Sequence, residues 1–121
     1  MVSWLKLSND PIGVLMKQDF IVVLVTTANR AEAEQIGQFL VEKKLAACCN
    51  IVDPIFSIFH WENKICQENE VLLIIKSVKN RFDAIVAEVK KLHSYTTPEI
   101  IALPIVSGSE DYLNWIKTET T

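Results

Sequence analysis

The chain has little glycine and little cysteine, and it has no dense run of basic residues. Its 121 residues include three glycines, none of them clustered, so it lacks the Gly-rich loop that holds a nucleotide phosphate. Its three cysteines contain no CxxC pair, which argues against a zinc knuckle or a thioredoxin-type site. A net charge of -3 argues against a nucleic-acid or anionic-membrane partner.

Long apolar runs are missing as well. The first residues, "MVSWLKLSNDPIGVLMKQ", are interrupted by polar residues and a proline, which is unlike a signal peptide. No apolar run approaches the roughly 18 residues that a membrane span needs. An odd number of cysteines without pairing spacing is typical of reduced thiols. We therefore expect a soluble cytoplasmic protein, with residues 1–19 as a loosely ordered leader and residues 20–121 as one domain.

Half of the residues are apolar, and their spacing predicts a series of strands and helices. "FIVVLV", from residue 20, is typical of a central strand. Asn29 and Glu32 form a capping-box pattern before a helix that ends near Lys43 or Lys44. A long strand follows, up to Trp61, and the proline of "DPI" predicts a bulge or bend within it.

The second half of the chain repeats this order. Glu62 and Asn63 suit a tight hairpin turn, which leads into the apolar strand "VLLII". A second helix ends near His93, "EIIALPIV" gives a fourth strand, and Ser109 can cap a short helix whose apolar side includes Trp115. The order predicts an α+β, ferredoxin-like βαββαβ fold with a four-stranded antiparallel sheet and a short C-terminal helix.

The second strand is apolar on both faces, and this pattern predicts assembly. Phe59 and Trp61 lie on one face of that strand, and Phe56 and Ile58 lie on the other. Two helices can cover only one face of the sheet. Because apolar surface is costly to leave in water, we expect further copies of the chain to cover the other face.

Residue spacing alone gives no complete catalytic or metal site. No two histidines stand at i, i+4, and no Cys/His cluster has zinc spacing. Cys48 is expected to pack in the core and Cys49 to lie at a subunit contact. Tyr95 is a plausible polar partner of Glu99 in a cleft. The conceivable metal ligands are His60, His93, Cys48, Cys49, Cys66, Glu62 and Glu99.

Six dispersed segments together resemble the CutA family, the divalent-cation tolerance proteins. They occur in family order and cover most of residues 20–116. The segments are "VLVTTAN", "LVEKKLAACCNIV", "SIFHWENKI", "EVLLIIKS", "LHSYTTPEIIALPI" and "DYLNWI".

This resemblance implies a tight homotrimer of ferredoxin-like subunits, with the sheets facing one another around the threefold axis. It implies a link to divalent metals, including copper, and no established catalysis. The trimer of the family is similar to that of the nitrogen-regulatory PII proteins, which implies an alternative role: a sensor or interaction protein that binds a small ligand at intersubunit clefts.

Carried over by position, the resemblance assigns the metal to His93, the histidine of the family's usual His-Pro-Tyr turn. Ser94 replaces the proline, so a less rigid turn is expected. Leu92 and Thr26 stand where some members have a second histidine and a cysteine. We therefore predict at most a weak site for Cu²⁺ or another divalent cation at His93, and we predict that Trp61, Tyr95 and Glu99 line the cleft.

Overall fold

The secondary-structure elements follow the predicted order in a computed structural model that describes residues 19–121. Residues 1–18 of the predicted leader lie outside the described residues. The elements are β1 (Phe20–Thr27), α1 (Arg30–Glu42), β2 (Cys48–Trp61), β3 (Lys64–Val78), a 3₁₀ turn (Lys79–Arg81), α2 (Phe82–Leu92), β4 (Ile100–Pro104) and α3 (Glu110–Glu119).

Side chains cap two of the helices as the sequence predicts. The Asn29 side-chain oxygen accepts a hydrogen bond from the Glu32 amide at 2.9 Å, at the start of α1. The Ser109 hydroxyl oxygen accepts one from the Tyr112 amide at 3.3 Å, at the start of α3. Each cap satisfies an amide that has no partner inside the helix, which explains where these helices begin.

The sheet is fully antiparallel, with the strand order β2-β3-β1-β4. This is the ferredoxin-like α+β arrangement, so the predicted fold is confirmed. The pairing of β2 with β3 shifts between Val52 and Ile55, as the proline predicted. Glu62 and Asn63 have φ values of 51° and 64°, so the predicted hairpin turn is confirmed.

One face of the sheet is covered by α1 and α2. Alternate residues of β1 and β3, such as Val23 and Ile75, are fully buried there against the helices. Gly37 lets α1 approach β2 closely, because an added Cβ would lie 3.3 Å from the Cβ of Cys49. The buried helical side chains of this core are Ala33, Ile36, Leu40, Ile85 and Val89.

The opposite face of the sheet, which we call the open face, is covered only at one end. There α3 packs Leu113 and Ile116 against Phe20 and Ala47. Of the predicted apolar side of this helix, Leu113 and Ile116 are buried, whereas Trp115 is 41% exposed. Within residues 19–121, none of the helices combines the length and the apolar character that crossing a bilayer requires.

Much of the rest of the open face is exposed and apolar. Ile101 and Leu103 of β4 are both 49% exposed, and they share this face with Leu24 and Val22, their partners in β1. Along the β2–β3 hairpin, Phe59 and Trp61 continue the same face, while Phe56 lies on the other side. The predicted two-sided apolar character of β2 is confirmed.

Candidate functional site

His93 is the C-cap residue of α2 and its side chain is completely buried, so it is not the solvated helix terminus that its position in the sequence suggests. Its Nε2 lies 2.7 Å from the carbonyl oxygen of Thr26, at the end of β1. Its Nδ1 accepts a hydrogen bond from the Tyr95 amide at 3.0 Å. A carbonyl oxygen can only accept, so Nε2 carries the proton and both ring nitrogens are engaged.

These contacts bear directly on the predicted metal site. In this arrangement neither nitrogen of His93 offers a free lone pair. Across residues 19–121, no group of three or more His, Cys, Asp and Glu side chains is placed to hold one ion. The described part of a single subunit therefore does not fit a preformed metal site, and metal ligation by His93 stays a prediction that requires one of its hydrogen bonds to break.

Glu32 holds the residues that follow His93. Its carboxylate accepts hydrogen bonds from the Ser94 amide at 2.5 Å, from the Ser94 hydroxyl at 3.2 Å and from the Ala28 amide at 3.2 Å. Burial favours a raised pKa, but these hydrogen bonds outweigh it and hold the pKa of Glu32 below its ordinary value. The side chain thus joins the start of α1 to the turn after α2.

Ser94 gives the turn a constraint that the sequence comparison did not predict. A proline has no amide hydrogen, so it could not donate the hydrogen bond that Ser94 donates from its backbone to Glu32. The serine hydroxyl adds a second hydrogen bond to the same carboxylate. The expected loss of rigidity is therefore offset by two hydrogen bonds to Glu32.

Tyr95 joins the turn to the sheet. Its hydroxyl donates a hydrogen bond of 2.7 Å to the carboxylate of Glu70, which is only 8% exposed. The predicted pairing of Tyr95 with Glu99 is therefore wrong. Burial, the hydrogen bond to Glu70 and the surrounding carboxylates raise the pKa of Tyr95 above its ordinary value. The ring of Tyr95 also lies 4.8 Å from that of His93, centroid to centroid.

The other predicted cleft residues lie elsewhere on the subunit. Glu99 is exposed, directly before β4. Trp61 is 53% exposed and pairs with Lys64 at the end of the hairpin. It is six residues along β2 from Ile55, the partner of Glu70, so it lies about 20 Å from the Tyr95–Glu70 pair at roughly 3.3 Å per residue. One subunit does not bring Trp61 to Tyr95.

Two residues of the site were missing from the sequence prediction. Glu32 was assigned only to the cap of α1, and Glu70 was not considered. The only available signal for Glu70 is its position directly before the apolar run "VLLII", which places it next to a buried strand segment. The contact of Glu32 with Ser94, which is 62 residues away, left no comparable signal.

The two adjacent cysteines face opposite sides of β2, and the one that packs against the core is Cys49 rather than the predicted Cys48. Cys49 packs against the core beneath Gly37, and burial raises the pKa of its thiol to about 12. Cys48 points to the open face, where its sulfur lies 3.9 Å from the Lys76 ammonium. Ile51 of β2 packs against the core. Because alternate residues of a strand share a face, Cys49 lies on the core side as well.

Comparison with known proteins identifies the family. Residues 21–119 match the family described as CutA1 divalent ion tolerance protein. The chain belongs to this family. The matched residues span the sheet and the helices described above.

The similarity to named CutA proteins is high. The chain is 42% identical over 99 residues to the divalent-cation tolerance protein CutA of Thermus thermophilus, covering 82% of this chain and 96% of that protein. It is 44% identical over 100 residues to the chloroplastic protein CutA of Arabidopsis thaliana, covering 83% of this chain but only 55% of that protein.

Solved CutA structures have the same fold. The structure of CutA1 from Oryza sativa superposes with a TM-score of 0.84 at 42% identity, covering 88% of this chain and 97% of that one. The structure described as the periplasmic divalent cation tolerance protein CutA of Archaeoglobus fulgidus superposes with a TM-score of 0.82 at 43% identity, covering 84% and 99%.

Proposed function

We propose that this CutA1-family chain acts in divalent-cation tolerance as a homotrimer that binds Cu²⁺ or another divalent ion weakly and catalyses no reaction. The observation that carries the proposal is the match over residues 21–119 to a family described by divalent ion tolerance, together with relatives in Thermus thermophilus and Archaeoglobus fulgidus that are named divalent-cation tolerance proteins. A cytoplasmic location is part of this proposal and rests on the cysteine pattern of the sequence, an odd number without pairing spacing.

Weak binding is proposed because His93 must give up a hydrogen bond before it can ligate. Releasing the Tyr95 amide frees Nδ1 at a cost of about 1 kcal/mol. Cu²⁺ has a high affinity for imidazole, so one neutral histidine is a reasonable first ligand. Further ligands would come from Glu99 or from a neighbouring copy of the chain.

Calorimetric titration with Cu²⁺ tests this proposal. The chain has two histidines, so His93→Gln and His60→Gln form a matched pair; His60 lies exposed on the hairpin. Glutamine keeps an N–H group that can reach the Thr26 carbonyl and so favours folding. We expect His93→Gln to weaken Cu²⁺ binding at least tenfold and His60→Gln to leave it unchanged. Equal binding by both variants would remove His93 from the site, and no binding by the wild type would remove direct metal binding.

The open face supports the homotrimer. Several of its apolar side chains are about half exposed in a single subunit, and burying each contributes about 1 kcal/mol. Because every copy presents the same apolar surface, three copies arranged around a common axis can each bury this face against the others. In the proposed trimer, Trp61 of one copy would meet Tyr95 and Glu99 of another copy in a shared cleft.

The Tyr95–Glu70 pair favours a second candidate function, a PII-like sensor that binds a small ligand at intersubunit clefts. The pair offers a partly buried carboxylate and hydroxyl, which are groups that can orient a polar ligand. Two thermal-shift screens distinguish the two functions: one of metabolites in the presence of a chelator, and one of divalent ions without a chelator. Stabilisation by a metabolite without metal supports the sensor, and stabilisation only by divalent ions supports metal binding.

A further inference from the structure

A cavity of about 820 Å³ lies at the end of the subunit opposite the histidine turn. It is bordered by the start of β1, the 3₁₀ turn and the end of α3. Phe20 lies six residues along β1 from Thr26, the residue that contacts His93, so the cavity is about 20 Å from the turn at roughly 3.3 Å per residue. The volume suits a small organic ligand.

Among residues 19–121, three cationic side chains and one acidic side chain border this cavity. Lys79 and Arg81 come from the 3₁₀ turn, Lys117 comes from α3, and the acidic side chain is that of Asp19. The chain as a whole carries a net charge of -3, so the positive charge at this cavity is opposite in sign to the net charge of the protein. Cations that share a concave site repel one another, and an anion relieves that repulsion.

Arg81 is held in a fixed position at the cavity. Its Nε and Nη2 donate hydrogen bonds of 3.0 and 2.8 Å to the carbonyl oxygen of Thr120, a residue that is only 3% exposed. A guanidinium has five N–H groups, so three of them remain for another acceptor. A fixed fork of donors suits the oxygens of a phosphate group better than a mobile lysine does.

We propose that this cavity binds the phosphate group of a small phosphorylated metabolite. Arg81 supplies the oriented donors, and Lys79 and Lys117 supply the remaining charge. Phe20 and Val78 form an apolar wall on which the rest of the ligand packs. The site is separate from the proposed metal or ligand clefts and does not depend on them.

Titration of the full chain with inorganic phosphate at constant ionic strength, followed by the NMR shifts of backbone amides, tests the site. We expect saturable shifts at Asn80, Arg81 and Thr120 in the wild type. The Lys79→Glu/Lys117→Glu variant replaces two exposed side chains, so it should fold, and we expect its affinity to fall at least tenfold. Arg81→Lys keeps the charge but loses the fork, and it should also weaken binding.

Lys90→Glu is the control, because Lys90 is exposed near the end of α2, away from the cavity. It should bind phosphate like the wild type. Acetate at the same ionic strength distinguishes a phosphate site from general attraction of anions. The absence of saturable shifts, equal shifts with acetate, or unchanged binding in the double variant would each overturn the proposal.

Discussion

His93, Glu32 and Glu70 are polar side chains in a region from which water is largely excluded. Their side chains are at most about a tenth exposed, and each one has hydrogen-bond partners from other elements. A buried polar group that loses its partner costs about 1–3 kcal/mol. The turn after α2 is therefore fixed by a connected network, in which removing one residue leaves another without a partner.

Glu32→Gln tests the part of this network that holds the turn. The charged carboxylate accepts three hydrogen bonds, and an amide of the same shape is a weaker acceptor. We expect the free energy of unfolding to fall by about 1–2 kcal/mol at pH 7. Glu34→Gln is the control: Glu34 forms an exposed ion pair with Arg30 on the same helix, and its loss should cost less than about 0.5 kcal/mol.

The same variant has a predictable pH dependence. The pKa of Glu32 is lower in the folded state than in the unfolded state, so its charge stabilises the fold above the unfolded-state pKa. That contribution is lost as the pH falls through the folded-state pKa. Denaturant unfolding at several pH values should therefore show the difference between wild type and Glu32→Gln shrinking below about pH 4.5. A difference that stays constant down to pH 3 would contradict the assigned hydrogen bonds.

Tyr95→Phe tests the contact between the turn and the sheet. The change removes the hydroxyl that donates to Glu70 and leaves a buried carboxylate without that donor. We expect a loss of about 1–3 kcal/mol in the free energy of unfolding. A double-mutant cycle with Glu70→Gln isolates the pair, and additive effects of the two changes would show that the hydroxyl and the carboxylate do not interact.

The raised pKa of Tyr95 predicts a further effect at high pH. The folded state keeps the hydroxyl protonated above the pH at which an unfolded tyrosine ionises. This contribution to stability is complete below about pH 10 and is lost as the pH rises further. Tyr95→Phe lacks it, so the stability gap between variant and wild type in denaturant unfolding should stay constant up to about pH 10 and narrow as the pH rises above that value.

Contacts of single residues were the least predictable level of the structure. His93 and Tyr95 were singled out from the sequence, but their partners Thr26 and Glu70 were not. The Tyr95–Glu70 contact joins residues 25 apart, and the His93–Thr26 contact joins residues 67 apart. Such contacts depend on how the strands and helices pack, and no local pattern encodes them.

At the level of elements, local signals were sufficient. Capping by Asn29 and Ser109, the proline bulge and the hairpin turn all depend on neighbouring residues, and all were predicted. The direction of single side chains was less certain. Successive side chains of a strand face opposite sides, so an error of one position assigns a residue to the wrong face. For this reason Cys48 was predicted in the core, where the structure has Cys49.

The hairpin turn gives a prediction at this level. Glu62 has a φ of 51°, a left-handed conformation that costs an ordinary residue about 1 kcal/mol or more and costs glycine little. We expect Glu62→Gly to raise the free energy of unfolding by about 0.5–1 kcal/mol. Glu68→Gly, in the extended backbone of β3, is the control and should be destabilising. Thermal unfolding compares the two variants, and equal losses in both would contradict the assigned turn.

The whole subunit has a complete core on one side of its sheet and an incomplete cover on the other. The helix face contains the fully buried side chains of α1, α2 and the central strands, whereas α3 covers only one end of the open face. Apolar exposure of this extent is typical of an interaction surface. This imbalance was predictable from the sequence, because two helices can cover only one face of the sheet and the second strand is apolar on both faces. The prediction needed no knowledge of individual contacts.

Leu103→Asp tests whether copies of the chain cover the open face. Leu103 is 49% exposed in one subunit, so an aspartate there should have little effect on the folding of a single chain. In an assembly it would place a charge without a partner in an apolar interface, which is strongly unfavourable. We expect light scattering to give three times the monomer mass for the wild type and a smaller mass for Leu103→Asp. Val41→Asp is the matched control, because Val41 is 42% exposed on α1 and should leave the assembly intact. A wild type that remains a folded monomer at micromolar concentration, or an unchanged mass for Leu103→Asp, would show that this face does not join the copies.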